Sequence, residues 1–152
     1  MIKLFLFIAL FFSGLNLKVL ANVFFKENDL LTTKIKKYRV VALTSLTADL
    51  ISTISKDSLV GIPGSSILKK NKEFDSIPIV SSGRMPPDLE KILSLKPDLV
   101  IGAKGFHDRP LSKLNSLGIS TLSTSISSLD DLDKLNKKLA SKLNARRKSL
   151  ED

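Results

Sequence analysis

The side chains best suited to chemistry form a short run, His107, Asp108 and Arg109, that follows an apolar segment. A histidine beside a carboxylate is typical of general acid–base catalysis and of metal sites, and both need further partners. His107 is the one histidine in the sequence, and the sequence has no cysteine. We therefore predict no catalytic group, no metal site and no cofactor. Contact with a ligand is the functional hypothesis that remains for His107, beside that of an ordinary loop residue.

Hydroxyl groups and glycines offer no alternative chemistry. Thr44 and Ser45 follow the first apolar run, but neither has a histidine nearby in the sequence, and the G-x-S-x-G pattern of a nucleophile elbow is absent. Gly61 and Gly64 do not form a dinucleotide-binding pattern, because the third glycine is missing and the segment follows the second strand. An enzyme on this scaffold has no residue set that predicts its reaction.

The loop Ser-Gly-Arg-Met-Pro-Pro at 82–87 is a more suggestive binding surface. Gly83 allows the backbone to approach a ligand closely, and Arg84 carries a planar donor group that suits an anion. Met85 adds a soft apolar contact. The alternative is an ordinary loop with a solvated arginine.

Apolar runs and helical spacings alternate along the chain. The alternation, with its short connections, predicts an α/β fold: a Rossmann-like parallel sheet flanked by helices. Ligands of such sheets bind beyond the C-terminal strand ends, which makes the loops at 44–46, 81–87 and 104–108 the candidate site. Strands are predicted at 39–43, 59–62, 77–80, 99–101 and 119–124, and helices at 46–54, 87–96, 110–117 and 128–143.

Local residue preferences predict the ends of these elements. Pro87 suits the first helical position of the second helix, and Gly118 suits the end of the third. Ser128 and Asp131 predict a capping box at the start of the fourth. Residues 63–76 are predicted to be a loop, and the strand at 77–80 to lie at an edge or a bulge because its proline cannot donate a hydrogen bond. The predicted inward positions are Leu89, Ile92 and Leu93 in the second helix, Leu111, Leu114 and Leu117 in the third, and Leu129, Leu132, Leu135, Leu139 and Leu143 in the fourth.

Residues 1–21 have the layout of a cleaved secretory signal, with a lysine at position 3, an apolar run over 4–15 and a cut expected near Ala21. The alternative is an uncleaved membrane anchor, for which the run is shorter than the roughly 20 residues that a spanning helix needs. We therefore expect a periplasmic protein whose signal is removed, with an irregular lead-in at 22–38.

The chain is basic, with a formal net charge of +9 that falls to +7 without residues 1–21, because these contain two lysines and no acid. Much of the surplus lies near the C-terminal end, where we interpret it as a solvated helix face. The sequence has one tyrosine and no tryptophan, and its C-terminal basic residues have no aromatic residues between them. No binding to nucleic acid is therefore predicted.

Four segments occur in an order typical of one family: RVVALTSLTADLI, LVGI, SSGRMPPDLEKILSLKPDLVIG and LNSLGISTL. Together they resemble the N-terminal lobe of the periplasmic binding proteins for iron-siderophore complexes, haem and vitamin B12, the substrate-binding subunits of ABC importers. The resemblance covers residues 39–143. It implies a two-lobed fold joined by a long helix, whose start would be the basic tail at 144–152, with ligand held between the lobes and no enzymatic activity.

The resemblance also implies roles for individual residues. Glu90 matches the glutamate that docks onto arginines of the ABC permease in the inner membrane. A tyrosine that commonly binds haem in the family is replaced by Arg84, which favours an iron-siderophore or a corrinoid ligand over haem. Asp49 stands where the family's first helix usually has a glutamate. The ligand-binding loops match Thr44, Ser45 and Leu46, then Gly83, Arg84 and Met85, and finally Lys104, Gly105, Phe106 and His107.

Because the sequence ends where the joining helix begins, we expect a single lobe. The chain would then be half of an importer subunit that pairs with a separate second-lobe chain, or a truncated relic. The alternative from a different class is a secreted interaction scaffold that has lost transport.

Overall fold

The structure, a computed structural model, describes residues 38–82 and 85–151, with side chains as far as residue 143. The predicted signal peptide, nearly all of the lead-in, Gly83 and Arg84 lie outside the described residues. Within the described part, no helix is both long enough and apolar enough to cross a membrane.

Five parallel strands form one sheet in the order β3-β2-β1-β4-β5, which confirms the predicted α/β fold. The strands are β1 (Val40–Ala42), β2 (Leu59–Gly64), β3 (Ile79–Ser82), β4 (Leu99–Ala103) and β5 (Ser120–Thr124). The helices are α1 (Ser45–Ser55), α2 (Leu89–Ser94), α3 (Asp108–Ser116) and α4 (Leu129–Glu151).

Strand β4 is buried on both faces, as its unbroken apolar run predicts. Leu99 and Ile101 face one core cluster, and Val100 faces the other. Helices α1 and α4 cover the first face, and α2 and α3 cover the second. The helices contribute Ala48, Ile51, Leu135, Leu139 and Leu143 to the first cluster, and Ile92, Leu111 and Leu114 to the second.

The predicted end signals of α3 and α4 are confirmed. Gly118 has a φ of +85°, a left-handed conformation that glycine adopts without strain, and its N–H donates to the carbonyl of Asn115. At the start of α4, the N–H of Asp131 donates to Oγ of Ser128, and the N–H of Ser128 donates to Oδ2 of Asp131, both at 3.1 Å. Donors from Ser127 and Ser128 hold the pKa of Asp131 at about 2.

Several predicted boundaries are wrong by one or two residues, and α2 shows why. Asp88 has an extended backbone, and its carboxylate accepts the N–H of Lys91, so Asp88 is the N-cap and the helix begins at Leu89. Pro87 therefore precedes the cap and is buried outside the helix. A six-residue helix has a narrow buried face, which Ile92 fills, and this leaves Leu93 exposed.

Two other predicted inward leucines are exposed because they stand at helix ends. Leu117 caps the C-terminus of α3, and Leu129 is the first residue of α4, before that helix reaches the core. The region at 63–76 is also more structured than predicted. Strand β2 continues to Gly64, and two short 3₁₀ turns follow, in which Leu68 and Phe74 are buried. β3 is an edge strand, one of the two predicted alternatives, but it begins at Ile79, after the proline.

We expect Leu139→Ala to lower the free energy of unfolding by about 2–5 kcal/mol, because the side chain is 1% exposed and its removal leaves a cavity between α4 and the sheet. Lys138→Ala, at the exposed neighbouring position, is the matched control and should change it by less than about 0.5 kcal/mol. Urea denaturation measures both values. Equal effects of the two substitutions would show that α4 is not packed on the sheet.

Candidate ligand-binding site

The C-terminal ends of all five strands lie at one edge of the sheet because every strand pair is parallel. We call this the C-terminal edge; it comprises the loop residues and helix starts that directly follow the strands. Predicted site residues from three separate loops are brought to it: the β1–α1 corner, the β3–α2 loop and the β4–α3 turn.

In the β1–α1 corner, Thr44 is the N-cap of α1. Its hydroxyl accepts the N–H of Thr47 at 3.3 Å and lies 2.8 Å from the Thr47 hydroxyl, so it is occupied within the protein. Ser45 is half-buried, and Leu46 is exposed. Thr44 therefore fixes the corner, and Leu46 presents the surface.

The β4–α3 turn comprises Lys104, Gly105, Phe106 and His107. The N–H of Lys104 donates to the carbonyl of Thr124 on β5 at 2.8 Å, and the N–H of His107 donates to the carbonyl of Ala103 at 2.9 Å. Gly105 has a φ of +80°, which a residue with a side chain rarely adopts. The Phe106 side chain is 88% exposed, so a backbone with several fixed bonds presents an aromatic ring to solvent.

His107 is held in one orientation. The N–H of Ala103 donates to its Nδ1 at 3.0 Å, so Nδ1 is the acceptor and the proton of the neutral ring lies on Nε2. The ring packs on Gly102, where a Cβ atom would lie 2.7 Å from Cβ of His107. Partial burial lowers the pKa of His107 from its ordinary 6.5, against the opposing charge of Asp108. The turn therefore offers a neutral Nε2–H donor.

In the β3–α2 loop, Gly83 and Arg84 lie outside the described residues. Met85 follows them with its side chain 66% exposed, and its N–H donates to the carbonyl of Ser82 at 3.0 Å. Pro86 is also exposed, whereas Pro87 is buried. Of the three residues predicted here, Met85 is thus placed at the C-terminal edge with an accessible side chain.

The C-terminal edge is rich in exposed apolar side chains. Two of them were not predicted from the sequence: Ile67, beyond β2, and Leu129, which was expected to face the core. The sequence signal for Ile67 is weak, because Ile67 and Leu68 form a short apolar pair between two serines and two lysines. Among the described residues, the exposed large apolar side chains that come within five residues after the end of a strand are Leu46, Ile67, Met85, Phe106 and Leu129.

The pocket described beside this edge is small. A pocket of about 120 Å³ beside β2 and β3 is lined mainly by apolar residues, among them Ile62, Leu68 and Phe74. Sites that enclose a small molecule typically occupy about 300–1,000 Å³, so this pocket is too small for a metal chelate or a corrinoid. Among the described residues, no group of three or more histidine, aspartate or glutamate side chains is placed to hold a metal ion.

Glu90 lies in the first turn of α2, and it is exposed. Asp88 supplies the cap of the helix, so the structure does not need Glu90 for that purpose. The helix dipole favours an acid at this position in either case.

We expect the free energy of unfolding to fall as the pH is lowered through 6.5 and then through the lower pKa of folded His107, because in that window the unfolded chain binds the proton more readily. His107→Gln should remove this part of the pH dependence, which urea denaturation at about pH 7.5 and about pH 5.5 measures. The Cε1 proton of the one histidine reports its pKa directly by NMR. A value at or above 6.5 would contradict the described environment.

The family profile described as "Periplasmic binding protein" matches residues 40–151. An ABC transporter substrate-binding protein from Listeria monocytogenes EGD-e superposes with a TM-score of 0.62 at 28% identity, over 76% of this chain and 45% of its own. The periplasmic vitamin B12 binding protein BtuF of Vibrio cholerae gives 0.60 at 24%, over 75% and 46%. Staphylococcus aureus SirA gives 0.54 at 26%, over 75% and 41%.

This chain thus spans less than half the length of each of these solved structures. No curated protein sequence matches it significantly. The family profile covers most of the chain, and the parallel α/β lobe agrees with the solved neighbours, which confirms the resemblance drawn from the sequence. The chain belongs to the periplasmic binding protein family.

Proposed function

We propose that this chain is the substrate-binding component of an ABC importer, or its N-terminal half, and that it captures an iron-siderophore or cobalamin-type ligand at the C-terminal edge. The observation that carries the proposal is the convergence of exposed apolar side chains and fixed turns at this one edge. The similarity to the Listeria substrate-binding protein supports the importer role, and the fold shared with the Vibrio vitamin B12 binding protein is compatible with a large ligand.

The chemistry of the edge suits a ligand with both apolar faces and polar groups. Leu46, Met85 and Phe106 supply exposed apolar surface, which gains free energy when a ligand removes it from water. Nε2–H of His107 is an available donor, and Lys104 is an exposed cation. From the sequence, Gly83 and Arg84 add backbone access and a permanent positive charge next to Met85. None of these groups supports a reaction, so the role is capture and delivery.

The remaining parts of the proposal concern location and partners. The layout of residues 1–21 supports export to the periplasm with cleavage near Ala21. Glu90 would dock the loaded protein onto basic residues of the permease, and its exposed position is compatible with that role. A second lobe, in a longer chain or a separate one, would enclose the ligand against this edge, as the family resemblance implies.

We expect the purified protein to bind cyanocobalamin or a ferric siderophore complex, and Phe106→Ala to weaken that binding about tenfold, since tenfold corresponds to about 1.4 kcal/mol and burial of a phenylalanine side chain provides at least that much. Leu117→Ala is the matched control, because Leu117 is exposed at the opposite end of α3. Equilibrium dialysis measures both. If cyanocobalamin and ferric catecholate and hydroxamate complexes all fail to bind, the ligand assignment is wrong and the interaction scaffold gains support.

We expect Glu90→Gln to reduce the affinity for the cognate permease at least about thirtyfold, because loss of one partner of a buried interfacial charge pair costs roughly 2–5 kcal/mol. Ligand binding should be unchanged. Asp130→Asn is the matched control, since Asp130 is also an exposed acid in the first turn of a helix. Binding to the permease in nanodiscs distinguishes the two. Equal losses in both variants would indicate a general charge effect and contradict the docking role.

A further inference from the structure

The β4–α3 turn is held by a side chain that lies just outside it. Asp108 is the first residue of α3, and its Oδ2 accepts the N–H of Gly105 at 2.9 Å. Its Oδ1 accepts the hydroxyl of Ser123 on β5 at 3.4 Å, a longer and weaker bond. One carboxylate therefore joins the turn, the start of α3 and the edge strand.

Stabilisation of α3 alone does not explain the orientation of the Asp108 carboxylate. An acid in the first turn of a helix is favoured by the helix dipole whichever way its side chain points. Here the carboxylate is directed back to the turn rather than to the free N–H groups of α3. His107, the N-cap, gives no side-chain cap either, because its ring is bonded to the N–H of Ala103.

The conformation that Asp108 holds is one that needs support. Gly105 has a φ of +80°, and apart from its chain neighbours no atom lies within 4 Å of where a Cβ would be, so a side chain there would have nothing to pack against. Glycine also loses more conformational freedom on ordering than any other residue. Hydrogen bonds are therefore what keeps the turn in place: one at Lys104 to β5, one at Gly105 to Asp108 and two between His107 and Ala103.

We propose that Asp108 is a positioning residue for ligand binding: it holds the Lys104–His107 turn in its bound conformation before the ligand arrives, so that Phe106 and Nε2 of His107 are presented together. The ring centroids of these two residues are 6.3 Å apart with a 45° angle between the planes. A ligand that met a mobile turn would have to order it, and that cost would be subtracted from its affinity. The inference rests on the proposed function for its link to ligand binding, and on the turn alone for the positioning.

The test compares the wild-type protein with Asp108→Ala, Asp108→Asn and the control Asp131→Ala, which removes a comparable set of bonds at the start of α4. Amide hydrogen exchange and heteronuclear NOE values of ¹⁵N-labelled protein report the order of the turn without any ligand. In Asp108→Ala we expect the exchange protection of the Gly105 amide to fall at least about tenfold, as one hydrogen bond to a charged group is lost. Asp131→Ala should leave it unchanged.

Asp108→Asn keeps an oxygen acceptor, so it should retain part of the exchange protection of the Gly105 amide. It also replaces the alanine variant in this test if that variant does not fold. It also removes the charge that raises the pKa of His107, so the NMR titration of the one histidine should shift to lower pH. A residue that only stabilised α3 would not change both the pKa of His107 and the exchange protection of the Gly105 amide. Affinity for cyanocobalamin and for the ferric complexes should fall about tenfold in Asp108→Ala.

The outcomes separate this inference from the proposed function. Unchanged Gly105 protection in both Asp108 variants would overturn the positioning role, as would unchanged affinity in Asp108→Ala if the wild-type protein binds a probe. If the wild-type protein binds none of the probes, the proposed ligand class fails. The exchange and NOE measurements then still decide whether Asp108 orders the turn.

Discussion

The rest of the structure depends on the burial of β4 between two apolar layers. A central parallel strand has no face for water, so Leu99, Val100 and Ile101 must all find apolar partners. Those partners come from helices on both sides, and each helix must return the chain to the start of the next strand. Parallel pairing and two-sided burial are thus one constraint, and the alternation of strands and helices is its consequence.

The same constraint determines where binding can occur. At the N-terminal side of the sheet, the chain returns from the helices to the strands, and hydrogen bonds join these connections. Nε of Arg39 donates to the carbonyl of Leu95, and the backbone N–H of Arg39 donates to the carboxylate of Asp98. At the C-terminal edge the chain passes from strands into loops and helix starts, which leaves surface available. The apolar side chains that remain exposed there, Phe106 above all, are the ones that the core does not need.

The sequence predicted the layers well and the ends of the elements less well, for a physical reason. Periodicity reports which face of a helix is apolar, so Leu135, Leu139 and Leu143 were correctly placed. It does not report where along its length a helix meets the core, and Leu117 and Leu129 were therefore misplaced. The predicted site residues show a similar limit. Thr44 acts as a cap through its hydrogen bond with Thr47, and His107 is oriented by its hydrogen bond with Ala103. The amino-acid sequence alone does not reveal these hydrogen bonds.

The fixed conformation of the β4–α3 turn bears on how such an edge can bind a ligand. The β4–α3 turn is fixed by backbone bonds to β5 and by Asp108, so its ring pair has a defined geometry before binding. The pocket described beside β2 and β3 is too small for a chelate, so a large ligand would rest against this ring pair from one side. A turn that is ordered before binding favours ligands whose shape and polarity match it. Under the proposed function, strong retention would come from a second surface, and release would require only that this second surface move away, because the turn itself has nothing to unfold.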